Sequence, residues 1–361
     1  MLLSTHELFR SDFLTLRPVT GRLVSGLAAT CPSPESLLTR FALCLASLGY
    51  ALLFATPIAQ AQSWPARPIR LVVPFAPGGS TDVIARLIAA DMAGPLGQQV
   101  VVENKAGAGG STGSTEIARA TADGYAILAA TVSTHAINPA LYSHLPFDVS
   151  DDFTPIIHLV DIPNVLLISP TVPARTVAEL KTFAANNPGR LNYASPGVGS
   201  IGHLQSQWFA NLIGVSMAHV PYRGAGPAMQ DVMTGEVQLM IDNVPTALEQ
   251  IRSGKVNALL VSSPARIAQL PDTPSSVEAG LPQFIGYSWL AFLAPKGTPD
   301  HAITALYEAS KAALANPQVR ERLQALSATV IGENPSATAT FLRAERDKWT
   351  PIVKAIGVQL D

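Results

Sequence analysis

The sequence predicts an α/β protein built as two lobes with a ligand cleft between them. Three segments share one construction, an apolar strand, then a loop of glycines and hydroxyl residues, then an amphipathic helix almost without charge at its start. These segments run from Ile69 through Gly78, Gly79, Ser80 and Thr81, from Val100 through Gly109, Gly110 and Ser111, and from Leu191 through Ser195, Gly199 and Ser200. The strand–helix alternation also restarts after residues 161–164, and an isolated apolar segment at 287–294 returns to the first half. Repeated units of this kind give an open parallel sheet with ligands beyond the carboxyl ends of its strands. Two chain crossings, near 160–165 and 283–290, imply a two-strand hinge.

In chain order, 69–75 (IRLVVPF) is a continuous apolar strand of the doubly covered kind, stopped by Pro77-Gly78-Gly79. Ser80 or Thr81 caps a helix to about Met92, with Ile84, Leu87 and Ile88 on one face. A strand at 99–103, a helix ending near Ala120 and a strand at 125–131 follow, with Asp123-Gly124 as a turn. The second half predicts strands at 165–169, 191–194, 217–220, 237–241 and 256–262. They alternate with helices at 177–186, 200–212, 227–234 and 246–252. After the strand at 287–294, helices at 302–314, 319–326 and 337–356 cover the first lobe. The lobes are then 62–163 with 287–361, and 164–286.

The first 61 residues have a different character. Arg40 precedes an uncharged, mostly apolar run from Phe41 to Phe54, then Pro57, then Ala59-Gln60-Ala61 with small residues where signal peptidase requires them. We place cleavage after Ala61; an uncleaved anchor is the competing reading, because 41–59 carries no charge. The stretch before Arg40, with Glu7, Asp12 and Glu35, is atypically long for a signal peptide. Both cysteines, Cys31 and Cys44, lie in this leader, so a thiolate nucleophile or cysteine metal site is not expected in the mature chain. Loss of Arg10, Arg17, Arg22 and Arg40 with the three acids moves the net charge from −2 to −3. No basic cluster invites nucleic acid.

Several motifs invite catalytic readings. Gly197-x-Gly199-x-x-Gly202 matches a dinucleotide fingerprint between a strand and a helix, but 203–230 contains no acid to hold the ribose. Gly109-Gly110-Ser111-Thr112-Gly113 fits a nucleophile-elbow pattern, yet five residues of loop separate it from its strand. These motifs leave two enzymatic alternatives, a hydrolase using Ser111 or a dinucleotide enzyme using 197–202. The histidines His135, His144, His158, His203, His219 and His301 form no zinc-binding spacing, and neither cofactor nor metal is expected. What the loops do offer is a set of helix starts, whose free N–H groups and positive dipole suit a small carboxylate. Asp242, at the end of the strand VQLMID, faces such a cleft and serves either a ligand amine or a neighbouring helix start.

These residues resemble a known family. WPARPIRLVVPFAPGGSTDVIAR (64–86), VVENKAGAGGSTGSTEIARATADGYAIL (101–128), THAINPALY (134–142), YASPGVGSIGHL (193–204), HVPYRGAGPAMQDVMTGEVQLMIDN (219–243) and FLAPKGTP (292–299) are similar to the Bug-type solute receptors of tripartite tricarboxylate transporters. The resemblance implies a type II periplasmic binding protein that closes on a small carboxylate and delivers it to a membrane permease, with a monomer as the default. It implies recognition by backbone N–H groups, hydroxyls and ordered water. Matched motif by motif, it assigns ligand binding to Phe75, Gly78, Gly79, Ser80 and Thr81, to Ser133, Thr134 and His135, and to Ser195, Gly199 and Ser200. Tyr222, Arg223 and Asp242 complete the expected site. Ala130-Thr131-Val132-Ser133 departs from the Gly-Ser-x-Gly-like loop of many relatives, so bulkier side chains there are expected to reshape the pocket.

Overall fold

The structure is a computed structural model that describes residues 64–361, with Ala42 alone before them. The leader, its cleavage site and both cysteines lie outside the described residues. Among the described residues no helix is long and apolar enough to cross a membrane.

Ten strands form one continuous hydrogen-bonded system. In the first group, β1 (Ile69–Val73) pairs in parallel with β2 (Val100–Asn104) and β3 (Ala126–Thr131). Then β9 (Tyr287–Pro295) inserts antiparallel between β3 and β4 (Phe153–Ile168). In the second group, β5 (Asn192–Ser195) pairs in parallel with β6 (Ala218–Pro221) and β7 (Leu239–Asn243). Both β7 and β8 (Asn257–Val261) run antiparallel to the distal half of β4.

The expectation of an all-parallel sheet therefore needs correction, since every strand that touches β4 is antiparallel to it. β4 was also expected only from residue 165. Pro155 and Pro163 make 153–163 look like loop, since proline supplies no ladder donor. Register shifts at Pro155/Ile157 and His158/Val160 absorb the irregularity while the strand continues along β9. A tenth strand, β10 (Thr329–Glu333), pairs antiparallel with β4 and has no predicted counterpart. It is short and interrupted by a left-handed Gly332 (φ 72°), so its period-2 signal is weak.

Strand periodicity puts helices on both faces. Along β9, Leu290, Phe292 and Ala294 join one core with Ile84 and Ile88 of α1 (Ser80–Leu96) and Leu306 of α8 (Asp300–Ala315). Trp289, Ala291 and Leu293 point the other way, toward Trp349 and Val353 of α10 (Pro335–Ile356). In the second group Leu166 and Ile168 meet Phe209 of α5 (Ile201–Ile213), whereas Val165 and Leu167 meet Val232 of α6 (Ala225–Thr234). Each buried side chain of this size contributes about 1.5–3 kcal/mol. Among the described residues the remaining α-helices are α2 (Ser111–Ala118), α3 (Asn138–Leu141), α4 (Val177–Asn186), α7 (Val244–Arg252) and α9 (Pro317–Ala325), with a 3-10 turn at Ala108–Gly110 and a π-helical turn at Ser133–Ile137.

β4 leaves β9 at Pro163 and meets β7 from Asn164, while β9 begins at Tyr287 just after Gly286. Buried amides hold this region together. Asn164 Nδ2 donates to Gln205 Oε1 at 2.9 Å and to the Gly286 carbonyl at 3.2 Å, and Gln205 Nε2 donates to the same carbonyl at 3.0 Å.

Candidate ligand site

A cavity of about 630 Å³ lies where the strand ends of both groups converge. The starts of α1, α5, α6 and α7 all contribute to its wall, as does the loop at 106–110 that feeds α2. Of the sequence-predicted residues, Phe75, Gly79, Ser80, Thr81, Ser133, Ser200, Tyr222, Arg223 and Asp242 line it. Thr134, His135, Ser195 and Gly199 are buried behind the lining, and Gly78 is exposed beside it.

These residues have identifiable occupations. The Gly78 N–H donates to Asp82 Oδ2 at 3.0 Å, and Gly78 sits at φ 83°, where only glycine is unstrained. Asp82 is buried, and its Oδ1 accepts from Arg86 Nε and Asn104 Nδ2, while Asn104 also donates to the Phe75 carbonyl. These bonds fix the loop at 75–82. The Thr134 hydroxyl accepts from Thr131 N–H and lies 2.9 Å from His135 Nδ1. His135 is packed edge-on against Phe153 at 4.7 Å, and burial pushes its imidazole down to about 3, with Arg346 adding to the effect. It is a neutral core histidine.

On the second side the expected hydroxyl grip is engaged elsewhere. Ser200 caps α5, accepting from His203 N–H at 3.3 Å and donating to the Gly197 carbonyl at 2.7 Å. Ser195 lies 2.7 Å from His219 Nε2 and accepts from Gly197 N–H. Gly199 donates to His203 Nδ1, and His203 stacks on His219 with ring centroids 4.0 Å apart. The N–H of Ile201 donates across the cavity to Ser133 Oγ at 3.0 Å. The start of α5 is thus largely satisfied by protein groups.

The open helix starts are elsewhere. α1 has no side-chain cap, and its first intrahelical bond runs from Val83 N–H to the Gly79 carbonyl, leaving Ser80, Thr81 and Asp82 N–H without an intrahelical acceptor. α6 begins after Gly224 (φ 121°) and also lacks a side-chain cap. A Cβ on Gly224 would come within 3.2 Å of Ala76 Cβ, so the α6 start abuts the loop that feeds α1. These two starts form the free N–H cradle. Gly224 and Ala225 were absent from the expected site because a glycine before a helix has the signature of an ordinary turn.

Three further lining residues, Asn243, Ser288 and Asn164, escaped the sequence reading, and Thr131 of the loop expected to reshape the pocket also lines it. Asn243 Nδ2 donates to Ser80 Oγ across the cavity. The Ser288 hydroxyl lies 2.6 Å from Asn243 Oδ1 and 3.0 Å from Asn164 Oδ1, which links the cradle to both crossing strands. Thr131 Oγ1 is buried on the cavity wall and makes no hydrogen bond within the protein, although buried hydroxyls nearly always find a partner. Asn164, Asn243 and Ser288 come from segments far apart in sequence, and no local pattern marks them.

Asp242 is buried at the cavity edge, accepting from Asn243 N–H at 2.8 Å and Thr246 Oγ1 at 2.6 Å. Burial pushes its carboxyl up to about 6 against these two bonds, which favour the ionised form. Arg223 is exposed.

Neither catalytic reading finds its parts. The Ser111 hydroxyl accepts from Asn138 Nδ2 at 3.0 Å, and an amide cannot act as its base. The third glycine of the fingerprint is explained by packing, since a Cβ on Gly202 would stand 2.7 Å from the Ile241 carbonyl. Among the described residues no cluster of His, Cys, Asp and Glu could hold a metal ion.

The fold has known counterparts. The periplasmic binding protein BugD is 37% identical, with a TM-score of 0.78 over 82% of this chain and 99% of that one. MatC from Rhodopseudomonas palustris, solved with bound malate, is 35% identical, with a TM-score of 0.77 over 80% and 100%. Rpa4515 of R. palustris, solved with adipate, is 34% identical, with a TM-score of 0.79 over 82% and 99%. The model of the family described as "Tripartite tricarboxylate transporter family receptor" matches residues 84–358. The chain belongs to that family of receptors, has the α/β periplasmic binding protein fold, and is a binding protein, not an enzyme.

Proposed function

We propose that this protein is a periplasmic receptor that closes on a small carboxylate and delivers it to the membrane permease of a tripartite tricarboxylate-type transporter. The observation that carries this reading is the uncapped start of α1, facing the α6 start across a cavity almost free of positive charge. Free N–H groups at a helix N-terminus complement an anion. In this reading 62–163 with 287–361 form one lobe and 164–286 the other, hinged where β4 and β9 cross. The leader at 1–61 directs export and is removed, and the mature receptor works as a monomer. The relatives solved with malate and adipate support the ligand class.

A thermal-shift screen against a carboxylate library tests this. A ligand at ~100 times its dissociation constant adds ~2.7 kcal/mol to the folded state. Failure of every carboxylate to shift the transition would end the reading.

Thr81 and Ser200 should separate in a paired experiment. Thr81 lines the open cradle, and Thr81→Ala should raise the dissociation constant by about one to two decades, the equivalent of ~1.5–3 kcal/mol for a lost bond to a charged group. Ser200→Ala removes a helix cap and should cost ~1 kcal/mol of stability in urea unfolding, with the smaller effect on affinity. The reverse order, seen by calorimetry and denaturation together, would move the anion site to α5.

A further inference from the structure

The cavity is built for more than a carboxylate head. Its volume of about 630 Å³ falls among cavities that hold drug-sized ligands, ~300–1,000 Å³. The half-buried side chains on the wall beyond the cradle are apolar, from Phe75, Ala76, Pro196, Val198 and Ile201. Val132, Trp289 and Ile241 also line the cavity and are packed into the cores behind it, so this wall is fixed in shape.

The charges on the lining point the same way. Asp82 is engaged by Gly78 N–H, Arg86 and Asn104. Asp242 is buried and, among the described residues, has no ion-pair partner. Among the described residues Arg223 is the one cation on the lining, and it is exposed. A second carboxylate carried into the cavity would meet apolar walls and a like charge, where screening is weak.

We propose that the preferred ligand is a monocarboxylate with an apolar body of about ring size, its head on the α1 start and its body against Phe75, Val198 and Ile201. This rests on the carboxylate reading above and narrows it. It sets the chain apart from the two R. palustris relatives solved with dicarboxylates.

Calorimetry at pH 8 with benzoate, cyclohexanecarboxylate, malate and citrate tests the proposal. The two monocarboxylates are expected to bind at least tenfold more tightly than malate and citrate. Malate or citrate binding as tightly or more tightly would overturn the proposal while leaving the carboxylate reading in place. No heat from any of the four would count against both. Asp242→Asn supplies an independent arm, because it removes the opposing charge and keeps the shape of the side chain. It should improve malate binding by a larger factor than benzoate binding; an equal shift for both would show that Asp242 does not select against the second carboxylate.

Discussion

Replacing Gly109 by leucine is expected to weaken ligand binding by about 100-fold, or ~2.7 kcal/mol, and to abolish ligand-induced closure. Gly109 lies on the wall fed by β2, and a Cβ there would stand 3.0 Å from the Val198 carbonyl and 3.2 Å from Gly199 Cα, on the opposite wall. A leucine would extend into that backbone, which has no side chain to move aside. The opposing loops could then approach only part of the way, and each side alone grips weakly. Gly109 sits at φ 58°, so the substitution also carries the ~1–2 kcal/mol penalty of a left-handed non-glycine residue. That penalty leaves the fold intact in a chain with cores on both faces of each strand group. Calorimetry measures the affinity, and small-angle scattering with and without ligand measures the closure. Wild-type affinity in the variant would show that the contact between 109 and 198–199 plays no part in binding.

Acid should destabilise the protein steeply below pH 6. Burial holds His135 and His203 near 3 and His219 near 4, against 6.5 in the unfolded chain, and for His203 the neighbouring His219 adds to burial. Groups with depressed folded values contribute stability that is present above pH 6.5 and lost as the pH falls toward 3–4. Asp242 acts in the opposite sense. Its folded value of about 6 exceeds the ordinary 3.8, so the folded state takes up its proton first and is relatively favoured as the pH drops through 6. Setting the two buried histidines against Asp242 leaves a net loss of roughly 1.4 kcal/mol per pH unit, and half-buried His219 adds to it. Urea titrations at pH 7, 6, 5 and 4 measure this slope. His203→Gln, whose carbonyl can still accept from Gly199 N–H, should flatten it. A stability that stays level down to pH 4 would mean that the histidines protonate freely in the folded state.

How much of this was legible in the sequence depends on where the decisive partner lies. The element order was readable because each apolar strand ends in a local breaker, as Pro77-Gly78-Gly79 ends β1. Within β4 the breakers misled, since bulges let Pro155 and Pro163 remain in a strand. The α1 start was legible for the same local reason as its strand: an apolar run followed by Gly-Gly-Ser-Thr. Ser195 and Ser200 have the same local signature, yet their hydroxyls turn to His219 and to α5 itself. A sequence shows that a hydroxyl stands in a loop, and the tertiary neighbours decide which way it is used. Asn243, Ser288 and Asn164 come together from three strands, and no spacing along the chain announces that meeting.

The most direct test is a crystal structure of the protein with whichever carboxylate gives the largest thermal shift. The carboxylate oxygens are expected within hydrogen-bond distance of the Ser80 and Thr81 N–H groups at the start of α1, with the Gly224–Ala225 loop closed over them. A carboxylate found instead on the α5 start, against Ser195 and Ser200, or on Arg223 at the exposed edge, would contradict this expectation.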